Sequence, residues 1–82
     1  MMNFTEEDFM KSYTERIKYL RENNDLTQRD VAEYLAISTQ KYKNYEKGIC
    51  SISASHLISL CLLYNVSADY ILGFTDKQGR II

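Results

Sequence analysis

Apolar residues recur along this chain at the spacing of helices. Phe9, Tyr13, Ile17 and Leu20 lie four, four and three residues apart, which puts them on one helical face. Thr5, followed by Glu6, Glu7 and Asp8, predicts the start of that helix, because carboxylates favour the positive end of the helix dipole. The pattern predicts helix 1 from about residue 6 to Asn23, with Asn23 and Asn24 suited to a left-handed exit. Thr27 is expected to cap helix 2, whose Val31, Ala32 and Leu35 face inward. Ser38 is expected to cap helix 3, and Gly48 to end it. Ser53 predicts the start of helix 4, which ends near Tyr64 and Asn65, and Ser67 caps a short helix 5 that stops at Gly73. No element is expected from Phe74 to Ile82. The sequence has no proline and no alternating strand pattern, so the reading is all-α. Residues 1–82 read as one domain with one modest core, without internal repeats or a long linker.

The segment Leu26–Gly48 is the most informative. It reads as two short helices joined by a tight turn, the second carrying polar side chains outward. That is the layout of a helix-turn-helix, which places its second helix in the major groove of DNA. Thr39, Gln40, Lys43 and Asn44 lie near the N-terminal half of helix 3, the end that enters the groove. Gln and Asn pair bidentately with adenine, Lys donates to guanine, and Thr touches a thymine methyl. These four are the candidate base readers; the alternative is an ordinary solvated polar face. Thr27 and Gln28 open helix 2, where unpaired backbone N–H groups and the dipole attract a phosphate. Lys41 puts a cation at the positive end of helix 3, which costs up to about 1 kcal/mol unless a phosphate arrives there. Lys41 and Lys47 are therefore candidate backbone contacts.

Charge changes the picture only locally. Net charge is −1 and the pI about 5.7, whereas DNA-binding domains often exceed a pI of ~9. Distribution matters more than the sum. Residues 1–12 hold Glu6, Glu7, Asp8 and Lys11, a net −2, and residues 39–47 hold Lys41, Lys43, Glu46 and Lys47, a net +2. The positive charge sits where a recognition helix needs it, although the same lysines would also solvate an idle helix. Ile49 to Ala68 carry no formal charge, but five serines, His56 and Asn65 interrupt them, leaving too little apolar length for a span of ~20 residues. No secretory signal is evident, so a soluble, cytoplasmic protein is expected. Cys50, Cys61 and His56 make neither a disulfide framework nor a zinc set. No nucleophile, phosphate loop or metal motif suggests an enzyme, and no cofactor is implied.

Several positions agree in order with one known pattern: Arg16-Ile17, Leu26-Thr27-Gln28, Ala32, Leu35, Ser38, Tyr45-Glu46 with Gly48, and Val66-Ser67 leading to Leu72-Gly73. Over about residues 13–73 the chain resembles the phage-repressor-like helix-turn-helix family, of the Cro/C1 or xenobiotic-response-element type. Residues 1–12 would extend its first helix, and 74–82 would form a short tail. The resemblance implies a compact five-helix, lambda-repressor-like domain from a bacterium or phage that binds operator double-stranded DNA, usually as a dimer. It implies base contacts at Thr39, Gln40 and Asn44, with Lys43 a less regular member, and a phosphate contact at Gln28. It also implies a structural pair between Arg21 and Glu46. Tyr42 stands where the family usually has an aliphatic residue, and with Tyr45 is expected in the core. Ala36 stands where the family often has Gly; if the turn needs positive φ, Ala costs about 1 kcal/mol.

Helix 4 is apolar almost all round. Leu57, Ile58, Leu60, Cys61 and Tyr64 are expected to face inward, with Leu62 and Leu63 widening the face. Leu62 and Tyr70, where the family tends to be polar, and Phe74 form the expected homodimer seam; otherwise the first helix or the tail covers them. The expected function is a sequence-specific regulator, a small repressor on a pseudo-palindromic operator. At this length no separate ligand-sensing domain is expected. The alternative is a protein-interaction module, antitoxin-like or regulator-binding, that uses the same fold without reading bases.

Overall fold

A computed structural model describes residues 6–82, with side chains from Tyr13 onward. The cap expected at Thr5 and the inward side chain expected at Phe9 lie outside them. Five helices follow in order: α1 Glu6–Asn23, α2 Gln28–Leu35, α3 Thr39–Lys47, α4 Ala54–Tyr64 and α5 Ala68–Leu72. No strand occurs among the described residues, and no helix there is long and apolar enough to cross a membrane.

The starts of α2 to α5 are set by hydroxyl side chains that accept a backbone N–H of the first turn. Thr27 accepts from Asp30, Ser38 from Lys41, Ser53 from His56 and Ser67 from Tyr70. At α2 the cap is reciprocal, because the Asp30 carboxylate accepts the Thr27 N–H at 2.8 Å. These bonds hold the Asp30 carboxyl below its ordinary pKa.

The helix ends use left-handed residues. Gly48 and Gly73 close α3 and α5, and Asn65 closes α4. After α1 the left-handed residue is Asp25, with φ 57°, rather than Asn23 or Asn24. The Asn24 amide instead donates to the Leu20 carbonyl at 2.7 Å, tying that residue to the last turn of α1. Ala36 adopts φ 58° in the α2–α3 turn. Left-handed backbone costs a side-chain-bearing residue about 1–2 kcal/mol, partly offset by the unfolded-state entropy of Gly. Ala36→Gly is therefore expected to raise stability by up to about 1 kcal/mol, read as a midpoint shift in urea.

The core gathers Tyr13, Ile17 and Leu20 of α1, Val31, Ala32 and Leu35 of α2, Tyr42 and Tyr45 of α3, Leu60 and Cys61 of α4, and Val66, Tyr70 and Ile71. α1 crosses the molecule, packing on α3 and on α5, while α2 packs on α3 and α4 on α5. Two expectations fail here. Ile58 is exposed, because Leu57, Leu60, Cys61 and Tyr64, at spacings of three, one and three, already make the inward face of α4. Tyr70 is only 8% exposed, against 50% for Leu62 and 65% for Phe74. Its ring lies under the Arg16 guanidinium, 4.6 Å from the centroid, which removes it from any outward seam.

The tail has no regular element but is fastened. Ser67 N–H donates to the Gln78 carbonyl at 2.7 Å, and the Asn65 side chain accepts the N–H groups of Ile81 and Ile82. Arg16 donates to the carbonyls of Tyr70 and Thr75 and to the Asp76 carboxylate.

Candidate nucleic-acid interface

α3 divides by period. Tyr42 and Tyr45 point into the core, their rings edge to face at 6.5 Å. Gln40, Lys41 and Lys47 are exposed, and Thr39, Lys43 and Asn44 are half-buried. The four candidate base readers and two candidate phosphate-binding lysines thus share one helix whose opposite side is anchored. The Gln40 amide donates to Asn44 Oδ1 at 3.1 Å, one turn apart, so these two present a joined polar edge. Lys41 sits in a first turn that contains no carboxylate, as its sequence position implied.

The anchor is Glu46. Its Oε2 accepts Arg21 Nε at 2.7 Å and the Tyr42 hydroxyl; its Oε1 accepts Arg21 Nη2 and Gln28 Nε2, each at 3.2 Å. All four acceptor positions of the carboxylate are used. The two ionic side chains are 11% and 5% exposed. Burial works to raise the Glu46 pKa, but the bonds from Arg21, Tyr42 and Gln28 outweigh it and hold the group ionised below its ordinary range. Arg21 also donates to the Leu26 carbonyl at 3.0 Å, so one guanidinium joins the end of α1, the loop into α2 and the end of α3. The expected structural pair is thus present in a wider network.

Gln28, expected to meet a phosphate, is half-buried and spends one amide donor on Glu46. The Thr27 hydroxyl accepts the Asp30 N–H and also bonds the Asp30 carboxyl, so it is engaged within its own cap.

Two contacts had no sequence signal. The Tyr45 hydroxyl pairs with His56 Nδ1 at 2.8 Å, joining α3 to α4, and the Tyr13 hydroxyl accepts the Ile52 N–H at 3.0 Å. Each fixes the loop after α3. His56, for which no role is expected from sequence, becomes a brace behind α3. Among the described residues no group of three or more His, Cys, Asp or Glu could hold a metal ion.

Residues 14–76 match the family model described as a helix-turn-helix domain. The chain is 39% identical over 64 residues to the uncharacterized HTH-type transcriptional regulator YobD of Bacillus subtilis, covering 78% of this chain and 57% of that protein. It is 39% identical over 69 residues to the HTH-type transcriptional regulator ImmR of Bacillus subtilis, covering 84% of this chain and 54% of that protein. It is also 39% identical over 62 residues to the antitoxin PezA of Streptococcus pneumoniae, covering 76% of this chain and 39% of that protein. The chain therefore spans little more than half the length of either regulator. No solved structure matches it significantly.

Proposed function

Because this chain belongs to the helix-turn-helix domain family, we propose that it is a sequence-specific DNA-binding transcriptional regulator, a repressor that binds a pseudo-palindromic operator as a homodimer. The observation that carries the reading is the division of α3. Its inner side is locked by Tyr42, Tyr45 and Glu46, and its outer side offers Gln40, Lys41, Lys43, Asn44 and Lys47 together. A helix held that rigidly places base-reading groups without ordering them at the moment of binding. Lys41 and Lys47 bracket the reading face, and phosphate contacts on either side fix its register in the groove.

Leu62 and Phe74 remain the proposed seam, joined by Ile58 one turn before Leu62; Tyr70 is not part of it. A second reading, a module that binds protein, is supported by the likeness to a protein named an antitoxin and by the exposed apolar positions of α4.

Selection from random 30-base-pair DNA at near-physiological salt separates the two, because non-specific binding is weak there. Enrichment of a two-fold symmetric site supports the regulator reading; no enrichment by folded protein transfers the weight to a protein partner. On the selected site, Asn44→Ala is expected to cost about 1–3 kcal/mol and relax preference at one base position. Lys47→Ala should weaken all sequences alike and reduce the salt slope by about one unit. An equal loss on every sequence for Asn44→Ala removes it from the reading set.

A further inference from the structure

Gln28 and Glu46 come from different helices and lie 18 residues apart, yet the Gln28 amide nitrogen is 3.2 Å from Glu46 Oε1. An ionised carboxylate only accepts hydrogen bonds. It therefore settles which end of the Gln28 amide faces it, a choice that is otherwise open for glutamine. With the nitrogen turned inward, one Nε2 hydrogen goes to Glu46 and one is left. Glu46 itself has no freedom to turn, because Arg21 holds both of its oxygens and Tyr42 holds Oε2.

We propose that Glu46 is a positioning residue for DNA binding: it orients Gln28 so that the remaining amide hydrogen is aimed at a backbone phosphate at the start of α2. This rests on the DNA-binding reading and adds to it. The same carboxylate that fixes α3 against the body also fixes the phosphate donor of α2, so the two helices meet DNA in one set geometry. Tyr42 contributes by filling Oε2, which leaves Oε1 to Gln28. Because a phosphate carries no sequence information, the contribution falls on affinity for every sequence and leaves base preference intact.

The test is a double-mutant cycle on DNA affinity with Gln28→Ala, Glu46→Gln and the pair, each confirmed folded by circular dichroism at low temperature. Gln28→Ala is expected to weaken all sequences about tenfold, the loss of one hydrogen bond to a charged group. Glu46→Gln is expected to weaken binding roughly threefold more when Gln28 is present than when it is Ala, since a coupled pair is non-additive. Equal losses in both backgrounds reduce Glu46 to a scaffold residue and overturn the proposal. Loss of all binding by the wild type would instead overturn the DNA-binding reading itself.

A second measurement needs no variant. In the wild-type protein one side-chain amide proton of Gln28 should shift, by nuclear magnetic resonance, with the same midpoint as the Glu46 carboxyl carbon during acid titration. The other should move on adding DNA. A Gln28 amide that ignores the Glu46 titration overturns the proposal even if Glu46→Gln does not fold.

Discussion

Glu46→Ala should lower stability by about 3 kcal/mol, because it strips the half-buried Arg21 guanidinium of its close counter-charge and leaves only the exposed Glu22 carboxylate at 4.0 Å. For a domain of this size that is a fall of tens of degrees in thermal midpoint, at ~4–8 °C per kcal/mol. Marginal stability of about 5–15 kcal/mol means that the variant retains little margin. The loss also removes the acceptor to which the Tyr42 hydroxyl donates. The sign of the pH dependence follows from the direction of the shift. Glu46 is held below the ordinary glutamate range in the folded state. Its stabilisation is therefore present above the unfolded value of ~4.3 and is lost as pH falls through the folded value. Asp30 is shifted in the same direction, so acid sensitivity must be assigned by difference. Stability measured against pH should be flatter below about pH 4 in Glu46→Gln than in the wild type. Identical acid limbs in the two proteins would contradict the account.

Arg16→Ala is the second large effect. Arg16 donates to two carbonyls, of Tyr70 and Thr75, and lies over the Tyr70 ring. Each carbonyl left without its partner costs about 1–3 kcal/mol where water does not reach it, and the ring contact adds about 0.5–1 kcal/mol. A total near 2–4 kcal/mol is expected, with early proteolysis between Gly73 and Ile82. Arg16→Lys should recover little, since a single ammonium does not reproduce the forked geometry. Asp76→Ala should change stability by less than about 1 kcal/mol, because its carboxylate, 98% exposed, is solvated either way. Equal effects for Arg16→Ala and Asp76→Ala would mean that the ion pair, and not the carbonyl clamp, holds the tail.

Helix starts were legible because they depend on neighbours in sequence. Thr27, Ser38, Ser53 and Ser67 each sit three residues before the N–H they accept, and that spacing is visible in the chain. The two faces of α3 were legible for the same reason: Tyr42 and Tyr45 inward and Gln40, Lys43 and Asn44 outward follow from the helical period. The pair Arg21–Glu46 came from resemblance, not from period, and the geometry of Glu46 as a four-donor hub was not readable at all.

What the sequence hid depends on distant partners. Arg16 stands in the sequence only as a matching position beside Ile17, and its role is not readable until its acceptors, 54 and 59 residues away, are known. Tyr70 reads as an unpartnered aromatic for the same reason, since it is Arg16 that covers it. Ile58 and Leu57 are adjacent and equally apolar. Only the placement of α4 decides which of them is buried.

The Arg16 clamp also orders events in time. α2 and α3 are neighbours in sequence and their contacts close short loops, so they form early at small entropic cost. The clamp joins Arg16 to Asp76 and completes the packing of α1 on α5, contacts that span most of the chain and close last. A chain still being synthesised therefore carries α3 and its Arg21–Glu46 anchor before α5 and the tail are there to fasten α1. The grip of Arg16 on the carbonyls of Tyr70 and Thr75 has to wait until Asp76 has emerged.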